Sequence, residues 1–221
     1  MTDIQTERQI AGDLLEIGAV TFASAAPFIW ASGLLSPIYC DNRMTMGYPD
    51  VRRRIRDAFV DRIRGEELRP DLIAGTATAG IPHAAWLAES LDLPMIYVRS
   101  KSKGHGKESA IEGPVKEGQR VVIVEDLVST GGSSIGVVRA LSSEKLVVVA
   151  VLAIFSYELQ ESEQAFSEIG VPLFTLTNLG HLLDVAALAG KLDDRGAQSL
   201  AAWRRDPWQW TRDRREKEGS G

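Results

Sequence analysis

Hydrophobic and polar residues alternate along this chain in patterns that predict helices and strands in turn. Residues 3–18 carry apolar side chains at helical spacing, and the short runs 20–22 and 28–30 are rich in the β-branched and aromatic residues typical of strands. The turn-rich stretch 32–43 contains a further apolar run at 37–40, which proline and an Asp-Asn pair delimit. We expect the first part of the chain to form a helix followed by a small hood of short strands.

From residue 48 onward, strand-like and helix-like segments alternate. Val51, Ile55, Phe59 and Ile63 recur at the spacing of one helix face, and continuous apolar runs follow with amphipathic segments between them. The predicted strands are 71–75, 95–99, 121–124, 146–155 and 172–178, and the helices after the first of them are predicted at 81–91, 135–141, 158–168 and near 180–204. Strands separated by helices predict an α/β fold with a mostly parallel central sheet, whose ligands bind at the carboxyl ends of the strands.

No linker or internal repeat divides this chain of 221 residues, so we expect one compact domain overall. Within it, residues 1–47 form the predicted N-terminal helix and hood, residues 48–205 the core, and residues 206–221 a C-terminal tail. The final ten residues, RDRREKEGSG, are charged, and we expect them to be frayed.

Composition narrows the possible classes of protein. Hydrophobic residues make up 44% and charged residues 25% of the chain, as in soluble globular proteins, and the net charge of −5 argues against nonspecific nucleic-acid binding. Cys40 is the only cysteine, so an intrachain disulfide or a cysteine-based zinc site is excluded. The first ten residues do not resemble a secretory signal, and the apolar run 146–155 is too short to span a bilayer. We predict a cytoplasmic protein with no membrane partner.

The stretch 121–134, VVIVEDLVSTGGSS, combines a buried strand, two carboxylates and a turn rich in glycine and hydroxyl groups. Because a helix is predicted to follow, the turn would present free backbone N–H groups at a positive helix end, where phosphate binds well. Glu125 and Asp126 could accept hydrogen bonds from sugar hydroxyls, so a ribose phosphate fits the whole stretch. The alternative is purely structural, because acidic residues and a glycine-rich turn are common at helix starts in α/β folds.

Three loops leave the carboxyl ends of predicted strands, at 76–80, 99–107 and 125–133, and we expect them to converge on one site. The middle loop is strongly cationic, which suits a lid over a polyanion, although a solvated linker remains the alternative. Its basic residues are Arg99, Lys101, Lys103, His105 and Lys107. The small residues at 76–80 are a weaker signal, since they could serve close packing alone.

These motifs also carry a family resemblance. The stretch 121–134 resembles the phosphoribosyl pyrophosphate motif of type I phosphoribosyltransferases, while 99–107 and the hood segment 32–43, SGLLSPIYCDNR, resemble orotate phosphoribosyltransferases in particular. The resemblance extends from about Phe28 to Trp203. It implies the type I fold with an N-terminal hood and pentosyl transfer from phosphoribosyl pyrophosphate to orotate with Mg²⁺. It further implies a role in pyrimidine (UMP) biosynthesis and a homodimer.

By matched position, the resemblance implies roles for individual residues. Catalysis would fall to Lys103, Asp126 and Glu125. Phosphoribosyl pyrophosphate would be bound by Arg99, Lys103, His105, Glu125, Asp126, Leu127, Val128, Ser129, Thr130, Gly131, Gly132 and Ser133. Ser129 and Tyr39 would approach orotate, and Mg²⁺ would be held mainly through substrate oxygens rather than by dedicated protein ligands. The cationic loop would reach into the neighbouring subunit's site.

The chain departs from the family pattern at three positions. Many members carry a lysine where this chain has Ala31 and another where it has Ala79, and some carry a second basic residue where it has Ser100. The two lysine contacts cannot be transferred to this chain, and Lys101 or Lys103 would have to supply the charge missing at Ser100. Two alternatives stay open: a purine phosphoribosyltransferase, and a noncatalytic regulator that senses phosphoribosyl pyrophosphate, which would need a basic surface for nucleic acid.

Three further residues have a purely structural interpretation. We interpret His83 and His181 as packing or capping residues at helix starts, and Cys40 as a small buried hydrophobic residue.

Overall fold

The computed structural model describes residues 4–23, 26–30, 32–99 and 110–219 of the chain. Its helices are α1 (Ile4–Glu16), α2 (Pro49–Gly65), α3 (Gly80–Leu91), α4 (Gly132–Ser143), α5 (Gln160–Ile169), α6 (Leu179–Leu188), α7 (Asp194–Arg205) and α8 (Pro207–Gly219). Its strands are β1 (Val20–Phe22), β2 (Phe28–Ile29), β3 (Leu35–Ser36), β4 (Ile38–Cys40), β5 (Leu72–Thr76), β6 (Met95–Val98), β7 (Ile111–Glu112), β8 (Arg120–Val128), β9 (Val147–Ser156) and β10 (Leu173–Asn178). A 3₁₀ helix spans Asn42–Gly47.

Six strands form the central sheet in the order β10-β9-β8-β5-β6-β7. The first five are parallel, and β7 is added antiparallel at the edge. Helices α1, α2, α3, α6 and α7 pack with one hydrophobic cluster of the sheet, and α4 and α5 pack with the other. The predicted α/β class is therefore confirmed.

Burial on both faces explains the continuous apolar run at the start of β8. Val122 and Val124 belong to the cluster under α2 and α3, whereas Val121 and Ile123 belong to the cluster under α4. All four are fully buried. A strand between two helical layers has no polar face, so its sequence does not alternate.

The hood consists of two short antiparallel pairs, β1 with β4 and β2 with β3. The C-terminal helices fix it to the core: the indole of Trp203 donates to the carbonyl of Leu35 at 2.8 Å, and the hydroxyl of Thr211 accepts from the N–H of Leu35 at 3.1 Å. The hydroxyl of Tyr157, which directly follows β9, accepts from the N–H of Cys40 at 3.0 Å. Buried hydrogen bonds therefore hold the hood over the carboxyl end of the sheet.

Two expectations are wrong. The C-terminal residues up to Gly219 form α8 rather than a frayed tail, with Thr211 buried and the guanidinium of Arg214 lying 4.3 Å from the ring centroid of Trp210. No strand was predicted between residues 99 and 121, but this segment contains β7. The proposed division at residues 47 and 205 stays a prediction. In the described ranges, no helix is both long enough and apolar enough to cross a membrane.

Candidate active site

A cavity of about 970 Å³ lies between the hood and the carboxyl ends of β5 and β8. Its walls come from the hood and the 3₁₀ helix, from the turn after β5, and from the end of β8 with the turn before α4. Tyr157, after β9, completes them. Two of the three loops expected to converge therefore do so.

Strand β8 runs further than the sequence predicted and contains both carboxylates. Glu125 is paired with Ala153 of β9, and the pairing continues to Val128 opposite Ser156. The side chain of Glu125 is buried and accepts hydrogen bonds from the N–H of Asp126 at 3.1 Å and from the hydroxyl of Ser134 at 3.2 Å. Because its residues belong to the sheet, the pair has a fixed position at the floor of the cavity.

Burial dominates the electrostatics of this pair. It raises the pKa of Glu125 well above its usual range, and the neighbouring charge of Asp126 raises it further. Burial likewise raises the pKa of Asp126, although hydrogen bonds from Glu125 and from backbone N–H groups oppose that rise. The two carboxyls therefore take up a proton more readily than isolated ones, and a ligand that donates hydrogen bonds or carries positive charge would favour their ionised form.

The turn between β8 and α4 has the geometry of an anion site. Gly131 precedes the helix with φ +84°, a left-handed conformation that glycine adopts without strain, and no side chain caps the helix start. The backbone N–H groups of a first helical turn have no intrahelical acceptor, so they can bind an anion. Ser129, Thr130 and Ser133 line the cavity beside this helix start.

Close packing explains only some of the small residues in the turn after β5. A Cβ on Gly80 would lie 2.4 Å from the carbonyl oxygen of Val124, so only glycine allows α3 to start against β8. Ala77, Thr78 and Ala79 instead line the cavity. Ala79 therefore contributes a wall without charge.

On the hood side, aromatic and charged residues face the cavity. Tyr39 lies 5.6 Å from Phe28 between ring centroids, and Trp30 lies 4.6 Å from Tyr157. The guanidinium of Arg43 donates two hydrogen bonds to the carboxylate of Asp41, at 2.6 and 2.7 Å. These bonds lower the pKa of that carboxyl.

Asn42 connects this wall to the sheet. Its side-chain amide donates to the carbonyl of Asp126 at 2.6 Å, and its amide oxygen lies 3.3 Å from the thiol of Cys40. The Asp41-Asn42-Arg43 segment therefore lies directly against the carboxylate pair.

The comparisons with known proteins agree with this geometry. The family model described as "Phosphoribosyl transferase domain" matches residues 48–168. The chain is 52% identical over 197 residues to an orotate phosphoribosyltransferase of Staphylococcus haemolyticus, covering 89% of this chain and 98% of that protein. It is 50% identical over 204 residues to one of Bacillus caldolyticus, covering 92% and 98%. The chain belongs to the orotate phosphoribosyltransferase family.

Solved structures show the same fold. An orotate phosphoribosyltransferase from Aeropyrum pernix superposes with a TM-score of 0.72 at 32% identity, covering 81% of this chain and 98% of that one. The UMP synthase of Leishmania donovani superposes with a TM-score of 0.78 at 28% identity, covering 90% of this chain and 42% of that one. An adenine phosphoribosyltransferase from Trypanosoma brucei, at 21% identity and a TM-score of 0.60 over 78% of this chain and 80% of that one, shares the fold alone.

The structure brings most of the residues assigned through the family motif to one cavity. These are Tyr39, Glu125, Asp126, Leu127, Ser129, Thr130 and Ser133. Val128 is instead buried in the core, and Gly131 and Gly132 form the start of α4 behind the lining residues. The binding roles themselves stay predictions.

The cationic loop is a different case. Lys103 and His105, like Lys101 and Lys107, lie outside the described residues. Arg99, at the start of the loop, does not line the cavity of its own chain; its Nε lies 2.9 Å from Oε1 of Glu112 on β7. Its predicted contact with pyrophosphate therefore needs either movement or a second subunit.

The isolated residues pack against neighbouring elements, and their purely structural interpretation stays a prediction. His83 is buried against Thr45, 3.2 Å from its hydroxyl, and burial lowers its pKa to about 4. Nδ1 of His181 lies 2.9 Å from Glu7 of α1, and His181 does not line the cavity. Cys40 is buried next to the cavity, which it helps to line, and burial raises the pKa of its thiol far above the usual range.

Sequence reasoning missed Arg43 and Asn42, which the structure places at the site. Both lie inside the hood segment that carried the resemblance, but only Tyr39 was assigned there. A usable signal was present: an arginine two residues after an aspartate can fold back on it, which Arg43 does.

Proposed function

We propose that this protein transfers the ribosyl 5-phosphate group from phosphoribosyl pyrophosphate to N1 of orotate, giving orotidine 5′-monophosphate and pyrophosphate. The observation that carries the proposal is the single cavity in which a helix start suited to phosphate, a buried carboxylate pair and the hood meet. The level of identity to orotate phosphoribosyltransferases over most of the chain supports it. The reaction would belong to pyrimidine biosynthesis in the cytoplasm.

The donor would lie along the core wall. Its 5-phosphate would accept hydrogen bonds from backbone N–H groups at the start of α4, and its ribose hydroxyls would donate to Glu125 and Asp126. As pyrophosphate leaves C1, positive charge develops on the ribose ring. Buried, ionised carboxylates beside the ring stabilise that charge more than they stabilise the neutral ground state, which lowers the barrier.

The raised pKa values give this mechanism a pH dependence. Because burial raises the pKa of Asp126 and of Glu125, the ionised form that the reaction needs is lost as pH falls, earlier than for isolated carboxyls. We expect kcat/KM to decrease on the acidic side with an apparent pKa above the usual carboxyl range.

Mg²⁺ is the cofactor that the family implies. Among the residues that the structure describes, no group of three or more His, Cys, Asp or Glu side chains could hold a metal by itself. The two carboxylates at the cavity floor fit an ion held by one or two protein oxygens and otherwise by substrate, which is the usual arrangement for Mg²⁺ with phosphates. Bound there, Mg²⁺ would neutralise charge on the leaving pyrophosphate.

A homodimer fits the surface of the hood. Met44, Met46 and Tyr48, on and next to the 3₁₀ helix, are 42%, 38% and 41% exposed in the isolated chain although they are apolar or aromatic. A second copy that covered this face would bury them, and we propose that its cationic loop then reaches the cavity. In that arrangement Lys103, His105 and Arg99 would contact pyrophosphate in the partner's site.

Subunit mixing tests the sharing of the loop. Lys103→Ala and Asp126→Ala proteins should each be nearly inactive, but refolding them together forms hybrids. With loops acting across the interface, one site of each hybrid combines the intact Asp126 of one chain with the intact Lys103 of the other. Random mixing makes half of the dimers hybrid, so roughly a quarter of wild-type activity should return. No recovery, with hybrids demonstrated by differential tags, would place the loop over its own site.

A panel of bases tests the function itself. The purified protein is incubated with phosphoribosyl pyrophosphate, Mg²⁺ and each of orotate, uracil, adenine and xanthine, and pyrophosphate release is followed. The proposal expects orotate to be consumed and the purines to be left untouched. Turnover of a purine with orotate inert would identify a purine phosphoribosyltransferase, and no turnover with any base would favour a regulator.

A further inference from the structure

The negative charge of the cavity would repel an anionic base. Three carboxylates line it, those of Asp41, Glu125 and Asp126, whereas Arg43 is the one cationic side chain among the described residues that do so. Orotate carries a carboxylate, and carboxylates alone would repel it. A cation within the cavity has to offset that repulsion if orotate is to bind beside the ribose.

The position of Arg43 matches the place where that carboxylate would lie. Orotate carries its carboxylate on the ring carbon next to the nitrogen that is ribosylated, so the group stays close to the sugar. Arg43 directly follows Asn42, whose amide bonds the backbone of Asp126 at 2.6 Å. Arg43 and Asp126 both line the same cavity.

The contacts of Arg43 leave it able to bind a second carboxylate. Asp41 accepts from Nε at 2.6 Å and from Nη2 at 2.7 Å, so it occupies one edge of the guanidinium and fixes the plane of the group. A guanidinium has five N–H donors. The edge formed by Nη1 and Nη2 can therefore make a two-bond contact with a ligand carboxylate while Asp41 keeps its own.

We infer that Arg43 recognises the carboxylate of orotate and is a specificity-determining residue of the site, an inference that rests on the proposed function. Asp41 is then a positioning residue that orients the guanidinium. Uracil, which is orotate without the carboxylate, gains nothing from this contact. Discrimination between orotate and uracil should therefore depend on Arg43, whereas binding of the donor should not.

The test crosses two variants with two bases. For wild type, Arg43→Gln and Arg43→Lys, kcat/KM is measured with orotate and with uracil, using radiolabelled bases so that slow turnover is detected. We expect Arg43→Gln to lower kcat/KM for orotate roughly 30-fold while that for uracil changes less than about twofold. Arg43→Lys keeps the charge but not the planar fork, so its loss with orotate should be smaller, roughly fivefold. The KM for phosphoribosyl pyrophosphate should stay unchanged in both variants.

Arg53→Gln is the matched control. Arg53 is a similarly exposed arginine on α2 that pairs with Asp50 and does not line the cavity, so its loss should leave both bases unaffected. An equal effect of Arg43→Gln on orotate and uracil, or no effect on either, would overturn the inference. If circular dichroism shows that Arg43→Gln does not fold, Arg43→Lys provides the test instead, through its kcat/KM for orotate divided by that for uracil. Wild-type protein that does not turn over orotate at all would refute the proposed function instead.

Discussion

The two walls of the cavity are built differently. On the core wall, Glu125 lies within a nine-residue strand between parallel neighbours, and it is 5% exposed. On the hood wall, Tyr39 and Arg43 lie on a three-residue strand and a 3₁₀ helix and are 40% and 60% exposed. A buried sheet fixes its side chains, whereas short surface elements can change sequence at little cost in stability. The core wall therefore suits the donor that all phosphoribosyltransferases share, and the hood wall suits the choice of base.

The strongest test of the core wall is the loss of one charge. Asp126→Asn keeps the size and removes the negative charge beside the ribose, so kcat/KM should decrease by about 10²-fold or more, because stabilisation of the developing cation is lost. Asp71→Asn is the control: Asp71 accepts from the N–H of Arg120 at 2.9 Å at the opposite end of the sheet. If the Asp126→Asn protein folds and keeps the wild-type kcat/KM, the carboxylate has only a structural role and the prediction is wrong.

A smaller effect is expected where the walls join. Asn42→Ala removes the donor to the half-buried carbonyl of Asp126, and leaving that carbonyl unpaired lowers the free energy of unfolding by about 1 kcal/mol. Because the hood is then less well fixed to the core wall, we expect the KM for orotate to rise more than the KM for the donor.

A control separates the two consequences of Asn42→Ala. Lys191→Ala removes another part-buried hydrogen bond, from Nζ of Lys191 to the carbonyl of Leu15 at 2.9 Å, at a residue that does not line the cavity. It should lower stability without changing either KM. Equal changes in both KM values for Asn42→Ala, or none, would show that Asn42 does not couple the walls.

The smallest expected effect is a gain in stability. Glu125→Gln retains an acceptor for the N–H of Asp126 and can donate to Ser134, yet avoids a buried charge, so the free energy of unfolding at neutral pH should rise by about 0.5–2 kcal/mol. Denaturant unfolding at several pH values measures it. Glu89→Gln, on the exposed face of α3, should change stability by less than about 0.5 kcal/mol.

The pH dependence of that gain has a definite sign. The folded pKa of Glu125 is raised, so the folded wild type holds this proton more tightly than the unfolded chain does. The contribution of Glu125 to the free energy of unfolding of the wild type is fully present below its pKa in the unfolded chain. It is lost as pH rises through its pKa in the folded protein. The advantage of Glu125→Gln should therefore shrink as the solution is acidified. An advantage that grows on acidification would contradict the raised pKa.

The same contrast explains how much the sequence could predict. The strands and helices of the core were predictable because burial imposes a pattern on the sequence. Val121 to Val124 form the continuous apolar run of a strand buried on both faces, and Val51 to Ile63 show the periodicity of one helix face. The carboxylate pair was predictable as part of a motif. That the strand continues through it was not, because acidic residues are disfavoured in strands and only pairing with β9 reveals the extension.

Elements held by contacts distant in sequence could not be predicted. Strand β7 has two residues, too few to show a pattern. Helix α8 is highly charged, and Thr211, the one buried residue among the α8 side chains that the structure describes, bonds Leu35 of the hood, 176 positions away. The site role of Arg43 is of the same kind, since its sequence neighbours show the ion pair with Asp41 but not the cavity beside it.

The most direct test of the division between donor wall and base wall is a crystal structure with orotidine 5′-monophosphate bound. We predict the phosphate at the backbone N–H groups of residues 130–133, the ribose hydroxyls within hydrogen-bond distance of Glu125 or Asp126, and the base against the hood with its carboxylate toward Arg43. A nucleotide bound in the opposite direction, with its phosphate at the hood and its base at the start of α4, would contradict the account.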